Sequence, residues 1–245
     1  MTTVESKVIE YQQRIEELFA VWKNMEHHVN EIFVEDGVVC PEKWFASEIR
    51  PLFLLKEAYG GNNGWSLIDD YLTKDEPIEG IWRNVSLWTK GLLNTNAEHL
   101  YSYNPNDAEF DKFNNEYIKS IAVVNVKKSK GEKSSDYEDI LNYAKSDKKF
   151  LLQQLEICDP TIIICGYTID PLIEIWGENI KTVHIIEIWG ENIKTVHNDN
   201  LYYHITLNDY DVLVLDYWHP GNQFPKIMNY YGLINIYQQA LLNND

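Results

Sequence analysis

The sequence predicts an α/β fold, a three-layer α/β/α sandwich around a four-stranded parallel sheet. Two observations carry this. Four short apolar runs, LFLL (52–55), IAVVNV (121–126), TIIIC (161–165) and DVLVLD (211–216), have the length of buried strands and stop at turn residues. The segments between them read mostly as helices, the alternation that builds βαβ units and a parallel sheet. A hydrophobic content of 44%, with 13% aromatic residues, supplies a substantial core and argues against global disorder.

Taken in order, residues 4–29 carry Val8, Ile15, Leu18, Phe19 and Trp22 at mixed three- and four-residue spacing, a helical stripe. The loop FVEDGVVCPEKWFASEIRP leads into the first strand. WSLIDDYL and IWRNVSLWTKGLL (81–93) read as helices, and NTNAEHLYSYNPNDAEFDKFNN as irregular. After the second strand, KKSKGEKSSDYEDI is a polar loop and a helix is expected over 137–157. The third strand ends in a glycine, and a short helix begins near Asp170-Pro171, where proline suits the first turn. The fourth strand ends in YWHPGNQFP before a final helix over 225–242. No composition shift forces a boundary, so the expectation is a single domain, 1–245, with an N-terminal helical extension over about 1–35. The twelve residues IEIWGENIKTVH occur at 173–184 and again at 186–197. This pattern reads as a tandem duplication or a sequence artefact, is too short for a solenoid, and is assigned no catalytic role.

The net charge of -17 repels phosphate backbones on average, so any nucleic-acid reading needs a local basic patch. Lys127, Lys128, Lys130 and Lys133 supply one just past the second strand. Cys40, Cys158 and Cys165 show no ligand spacing and suit reduced thiols in a cytoplasm. The polar N-terminus does not read as a signal peptide, and no apolar stretch approaches the roughly 18 residues of a membrane span. A cytoplasmic protein without cofactor, metal or membrane contact is expected.

In open parallel sheets, ligands bind beyond the C-terminal ends of the strands. Three side chains with useful chemistry sit there. Glu57 follows the first strand in a stretch with Gly60, Gly61 and Gly64, where a carboxylate can orient or deprotonate water. Asn125 closes the second strand, and its amide offers a donor and an acceptor to a planar base edge. His219 follows the fourth.

Order and spacing resemble the uracil-DNA glycosylase superfamily, nearest its thermostable bacterial and archaeal branches. KEAYG (56–60) is similar to the GEAPG-type turn, VVNVKK (123–128) to a TNVVK strand end, PTIIICG (160–166) to a PKVIVALG-like strand, and HPG (219–221) to an HPS motif. The resemblance covers roughly 50–240 and implies a strand order of 2-1-3-4. It implies that Glu57 positions the attacking water, that Asn125 binds the uracil edge, and that His219 donates to uracil O2 as charge develops. The base would be flipped out of the stack. Tyr59 or Trp65 would offer it an aromatic face, Phe224 would act as the wedge, and Lys127, Lys128 and Lys130 would contact DNA. Lys56, Tyr59 and Gly221 depart from the family pattern, and the iron–sulfur cysteines are missing, so no cluster is expected. A catalytically silent member binding a nucleotide, nucleic acid or protein partner is the alternative. A Rossmann-type enzyme is weak, because no GxGxxG or GxxxxGK[ST] occurs.

Overall fold

A computed structural model describes residues 2–59, 65–74, 80–107, 116–132, 134–177 and 201–243. The glycines expected to form the turn at 60–64, Lys133 and the second copy of the duplicated segment lie outside the described residues. The strands are β1 (Pro51–Tyr59), β2 (Ala122–Gly131), β3 (Ile162–Gly166), β4 (Tyr202–Leu207) and β5 (Tyr210–Tyr217). The α-helices are α1 (Thr3–Trp22), α2 (Pro41–Phe45), α3 (Ile81–Asn94), α4 (Tyr137–Ser146), α5 (Lys148–Cys158), α6 (Ile169–Trp176) and α7 (Lys226–Leu242).

The sheet order is β2-β1-β3-β5-β4. The four strands expected from the sequence are parallel and stand in the order 2-1-3-4 among themselves. The sheet is nevertheless five-stranded, which corrects the expectation of four. β4 adds to β5 as an antiparallel edge strand through a two-residue turn, Asn208-Asp209, with both residues at positive φ (49° and 66°). Asn and Asp tolerate that region, which the right-handed twist of a tight hairpin requires.

Alternating side chains divide the core into two layers, as a strand period of two dictates. Phe53, Leu55, Val123, Ile164 and Leu215 pack with Val85, Trp88 and Leu92 of α3 and Tyr230, Leu233 and Ile234 of α7. Leu52, Leu54, Val124, Ile163 and Val214 face the other way, against Leu18 and Trp22 of α1, Leu151 and Leu155 of α5, and Leu172 of α6. The N-terminal helix is thus part of this second layer. It starts in a capping box, with Glu5 N–H donating to Thr2 Oγ1 (3.1 Å) and Thr2 N–H to Glu5 Oε2 (2.7 Å).

Three expected boundaries move, each for a tertiary reason. α1 ends at Trp22 rather than near 29, because the following turn sends His27 and His28 to the Asp147 carboxylate. The single helix expected over 137–157 is two, α4 and α5, with Asp147 at the break. β1 and β2 run well past their apolar stretches, pairing Glu57 with Lys127 and Tyr59 with Gly131. Lys56 to Tyr59 and Lys127 to Lys130 are therefore strand residues, not loop residues.

The outer edge of β2 is covered by residues 32–39, which run antiparallel to it. Val34 N–H donates to Lys128 O (2.7 Å), Lys130 N–H to Ile32 O (2.8 Å) and Val123 N–H to Gly37 O (2.8 Å). Gly37 sits at φ 150°, and Tyr11 Oη occupies the space a Cβ would need. This strap carries Asp36 into the interior. Its carboxylate accepts from the Asn125 backbone N–H (2.8 Å), Asn125 Nδ2 (3.0 Å), Gln154 Nε2 (2.8 Å) and Lys128 Nζ. Burial lowers the pKa of Lys128, and the Asp36 charge opposes that shift.

Removing one partner of a buried ion pair costs about 3–5 kcal/mol, because the other charge stays desolvated. Asp36→Ala is therefore expected to lower unfolding free energy by about that amount in urea titration. The paired change Asp36→Leu with Lys128→Met is expected to recover most of it.

Candidate functional site

At the C-terminal edge of the parallel strands lies a cavity of about 760 Å³, within the range of small-molecule sites. Glu57, Tyr59, Trp65, Asn125 and His219 all line it. Lys56, noted from the sequence only as a departure from a motif, lines it too, as do Tyr71, Ile81, Trp82, Glu132, Ser134 and Ser135, which were not singled out. Trp82 opens α3, at the start of the helical stripe read over 81–93, and rests against Tyr71 with ring centroids 6.4 Å apart.

Each polar group is fixed by a different element. Glu57 is set by strand pairing. Its side chain is only 3% exposed, Lys127 Nζ lies 3.4 Å from Oε2, and Glu132 N–H donates to Oε1 at 3.4 Å. Its methylenes fill the space where a Cβ on Gly131 would stand, so only glycine fits opposite. Asn125 is buried, and its Nδ2 donates to Asp36. Its Oδ1 accepts no hydrogen bond among the described residues, which leaves that acceptor for the cavity.

His219 sits in the loop after β5. Asn84 of α3 holds this loop by donating from Nδ2 to Pro220 O (2.7 Å). Gly221 N–H donates to His219 Nδ1 (3.1 Å), so Nδ1 is the acceptor and the proton of a neutral ring is on Nε2. Burial, helped by the Lys56 charge, lowers the His219 pKa to about 4. The ring is therefore a neutral donor throughout the physiological range.

Lys56 and His219 also line a second, shallower hollow of about 370 Å³ with Tyr167, Trp218, Gly221, Asn222 and Phe224. Tyr167, Trp218 and Phe224 are exposed, and Trp218 and Phe224 meet edge to face. Tyr167 adopts φ 63°, a strained conformation for an aromatic residue, and the Lys56 ammonium lies 5.4 Å from its ring centroid. Lys56 forms no ion pair among the described residues.

Among the described residues, the basic patch expected past the second strand does not form an exposed surface. Lys128 is fully buried against Asp36 and the Trp22 ring, so it cannot reach a phosphate. Lys127 is 14% exposed and bridges Glu57 and Asp139. Burial alone would lower its pKa, but the hydrogen bond and charge of Asp139, with Glu57, raise it. Of the three described lysines, only Lys130 is exposed. Strand alternation explains the outcome, since neighbouring residues must face opposite sides. Cys158 and Cys165 are buried thiols whose pKa values are pushed up by desolvation, which makes them poor nucleophiles.

The chain matches no protein-family model and no curated protein sequence. The functional reading rests on the site.

One further carboxylate stands near the strand ends. Burial, then the Asp170 charge, raises the Asp216 pKa to about 6. The folded state therefore binds this proton more tightly than the unfolded chain. The resulting destabilisation is absent below pH ~4, grows between pH ~4 and ~6, and is complete above that. Asp216→Asn is expected to raise stability at pH 7.5 by about 1–2 kcal/mol, discounted for partial exposure, and to change it little at pH 4. Thermal melts at the two pH values check this.

Proposed function

We propose that this chain hydrolyses the N-glycosidic bond of uracil, or of another deaminated or damaged base, in DNA. The observation that supports it is one cavity, roomy enough to admit a flipped nucleotide, lined by a carboxylate, an amide with a free acceptor and a neutral imidazole donor.

In this reading the base enters the cavity flipped from its strand, beside Tyr59 and Trp65. Asn125 Oδ1 accepts from the base N–H. The bond from C1′ to the base nitrogen breaks, and its electrons leave with the base. His219 Nε2–H donates to the carbonyl oxygen where that charge collects, and Lys56 adds a positive charge alongside. Glu57 orients a water, whose oxygen bonds to C1′ and whose proton passes to the carboxylate. The residues flanking the flipped nucleotide rest on the exposed aromatic rim of Tyr167, Trp218 and Phe224.

One observation favours the alternative of a catalytically silent binder. Both Glu57 oxygens already have partners, Lys127 Nζ and Glu132 N–H. A silent protein keeps the cavity and its base-edge donors without activating water.

Oligonucleotides containing uracil, hypoxanthine or xanthine separate the two. Cleavage is expected, with His219→Ala and Glu57→Ala each slowing it by about 10²-fold or more. Wild-type protein that binds such strands and leaves them intact transfers the case to the silent binder.

Salt dependence gives a second check. With Lys56 and Lys130 as the phosphate contacts, two neutralised phosphates on a single strand give a slope of only about -1.4 in log K against log salt. Fluorescence anisotropy across a salt series measures it, and Lys56→Met is expected to flatten it further. A slope steeper than about -3 would require a basic surface elsewhere.

A further inference from the structure

We propose that His27, His28 and Asp147 form a binding site for a divalent transition-metal ion, Zn²⁺ by ligand type, on the face of the sheet opposite α3 and α7. His27 Nε2 lies 2.7 Å from Asp147 Oδ1, and His28 Nε2 lies 2.9 Å from Oδ2. The three ligand atoms all stand within 4.8 Å of one another. A tetrahedral zinc with bonds of about 2.1 Å wants its ligand atoms roughly 3.4 Å apart. The present spacings, 2.7 Å and 2.9 Å from ring to carboxylate and at most 4.8 Å overall, bracket that value.

The backbone is already fixed on both sides. The turn bearing the two histidines is closed by His28 N–H and Val29 N–H donating to Met25 O (2.8 and 3.1 Å). Asp147 sits at the break between α4 and α5, its N–H donating to Tyr143 O (2.9 Å) and its carbonyl accepting from Leu151 N–H (2.9 Å).

The surroundings have the features of a metal site. His28 Nδ1 meets Ser129 Oγ (3.1 Å), which accepts from Tyr143 Oη (3.2 Å). With Nδ1–H donating to that oxygen, Nε2 keeps its lone pair for the ion, the usual orienting arrangement around a metal-bound histidine. His28 and Asp147 are fully buried, while His27 is about one-third exposed and leaves an approach from solvent. Asp147 is a buried carboxylate paired with two imidazoles, with the Trp22 indole beside it and the buried Lys128 ammonium within interaction range but bound to Asp36, so it has no cation of its own among the described residues. A divalent ion would supply that compensation and displace the protons now shared between rings and carboxylate. Three protein ligands leave the fourth position to water.

Such an ion would clip the turn at 27–28 to the junction of α4 and α5. The strap that follows, residues 32–39, carries Asp36 and so holds Asn125 in place. The role is structural, with none of the three ligands lining the cavity, and independent of whether the protein cleaves DNA.

The test titrates chelator-stripped, full-length protein with Zn²⁺ by calorimetry, with Co²⁺ absorbance as a reporter of coordination. One equivalent is expected to bind, raising the melting temperature. His27→Gln is expected to weaken binding by at least about 10-fold with an unchanged circular dichroism spectrum. His99→Gln, an exposed histidine elsewhere, is expected to leave it unchanged. His28→Gln serves as a second ligand variant, because Asp147 substitutions risk unfolding the chain. Absence of saturable binding by the wild type, or equal affinity in wild type and His27→Gln, overturns the proposal.

Discussion

The Asp36 carboxylate is the interaction on which the candidate site depends. It enters from a strap outside the sheet and meets four donors from three residues on two elements: two from Asn125 and one from Lys128, both on β2, and one from Gln154 of α5. An isolated buried carboxylate would be strongly disfavoured, and so would the buried ammonium of Lys128. Together, with neutral donors completing the shell, they are tolerated, and the geometry that makes them tolerable is unique. Moving the strap by one residue would replace Asp36 with Glu35 or Gly37 and orphan Lys128. The same carboxylate fixes which way the Asn125 amide faces, because its nitrogen is committed to Asp36 and its oxygen is left over. In the proposed reading, substrate recognition at Asn125 would inherit its orientation from an edge-capping contact.

The second constraint is the length of β1 and β2. Both strands continue beyond their apolar runs, through Lys56–Tyr59 and Lys127–Gly131, where charged and small residues replace most of the apolar ones. Glu57 and Lys127 pair across the ladder, Asp139 of α4 satisfies the other side of Lys127, and Gly131 leaves room for the glutamate stem. A carboxylate on a hydrogen-bonded strand keeps its position better than one on a loop. That rigidity favours a water-positioning role, while the close Lys127 partner draws on the same charge the water would need.

The parallel core was legible because its strands are buried on both faces and so read as unbroken apolar runs. Glu57, Asn125 and His219 were legible as a group because each lies at or just beyond the end of such a run. What escaped detection depends on polar or tertiary information. β4 has half-exposed Tyr202, Tyr203 and His204, and its only local sign is the Asn208-Asp209 turn. The lysines after Asn125 look like a basic loop when the strand is ended at Val126. Extended by five residues, to Gly131, the period of two sends Lys127 and Lys128 to opposite faces. The helix break at Asp147 has no proline or glycine to announce it. It accompanies hydrogen bonds to histidines about 120 residues away in sequence. Lys56 was noted only as a departure from a motif, although it lies beside His219 and forms no ion pair among the described residues.

Charge decides how such a site could engage a polyanion. The net charge is -17, and two of the lysines that might have relieved it locally are spent inside the molecule, on Asp36 and on Glu57 with Asp139. Long-range attraction to a phosphate backbone is therefore not available, and affinity has to come from short-range contacts. The exposed rings of Tyr59, Tyr167, Trp218 and Phe224 around the strand ends are the groups able to supply it. Stacking of a base on an aromatic ring is worth about 1–3 kcal/mol and needs no counterion release. It also requires bases already out of the duplex, which removes the unstacking cost from the protein's side. An acidic surface, a neutral histidine and an aromatic rim are thus mutually consistent. Under the proposed function they would select against intact duplex and leave Lys56, beside His219, to meet negative charge where it would develop.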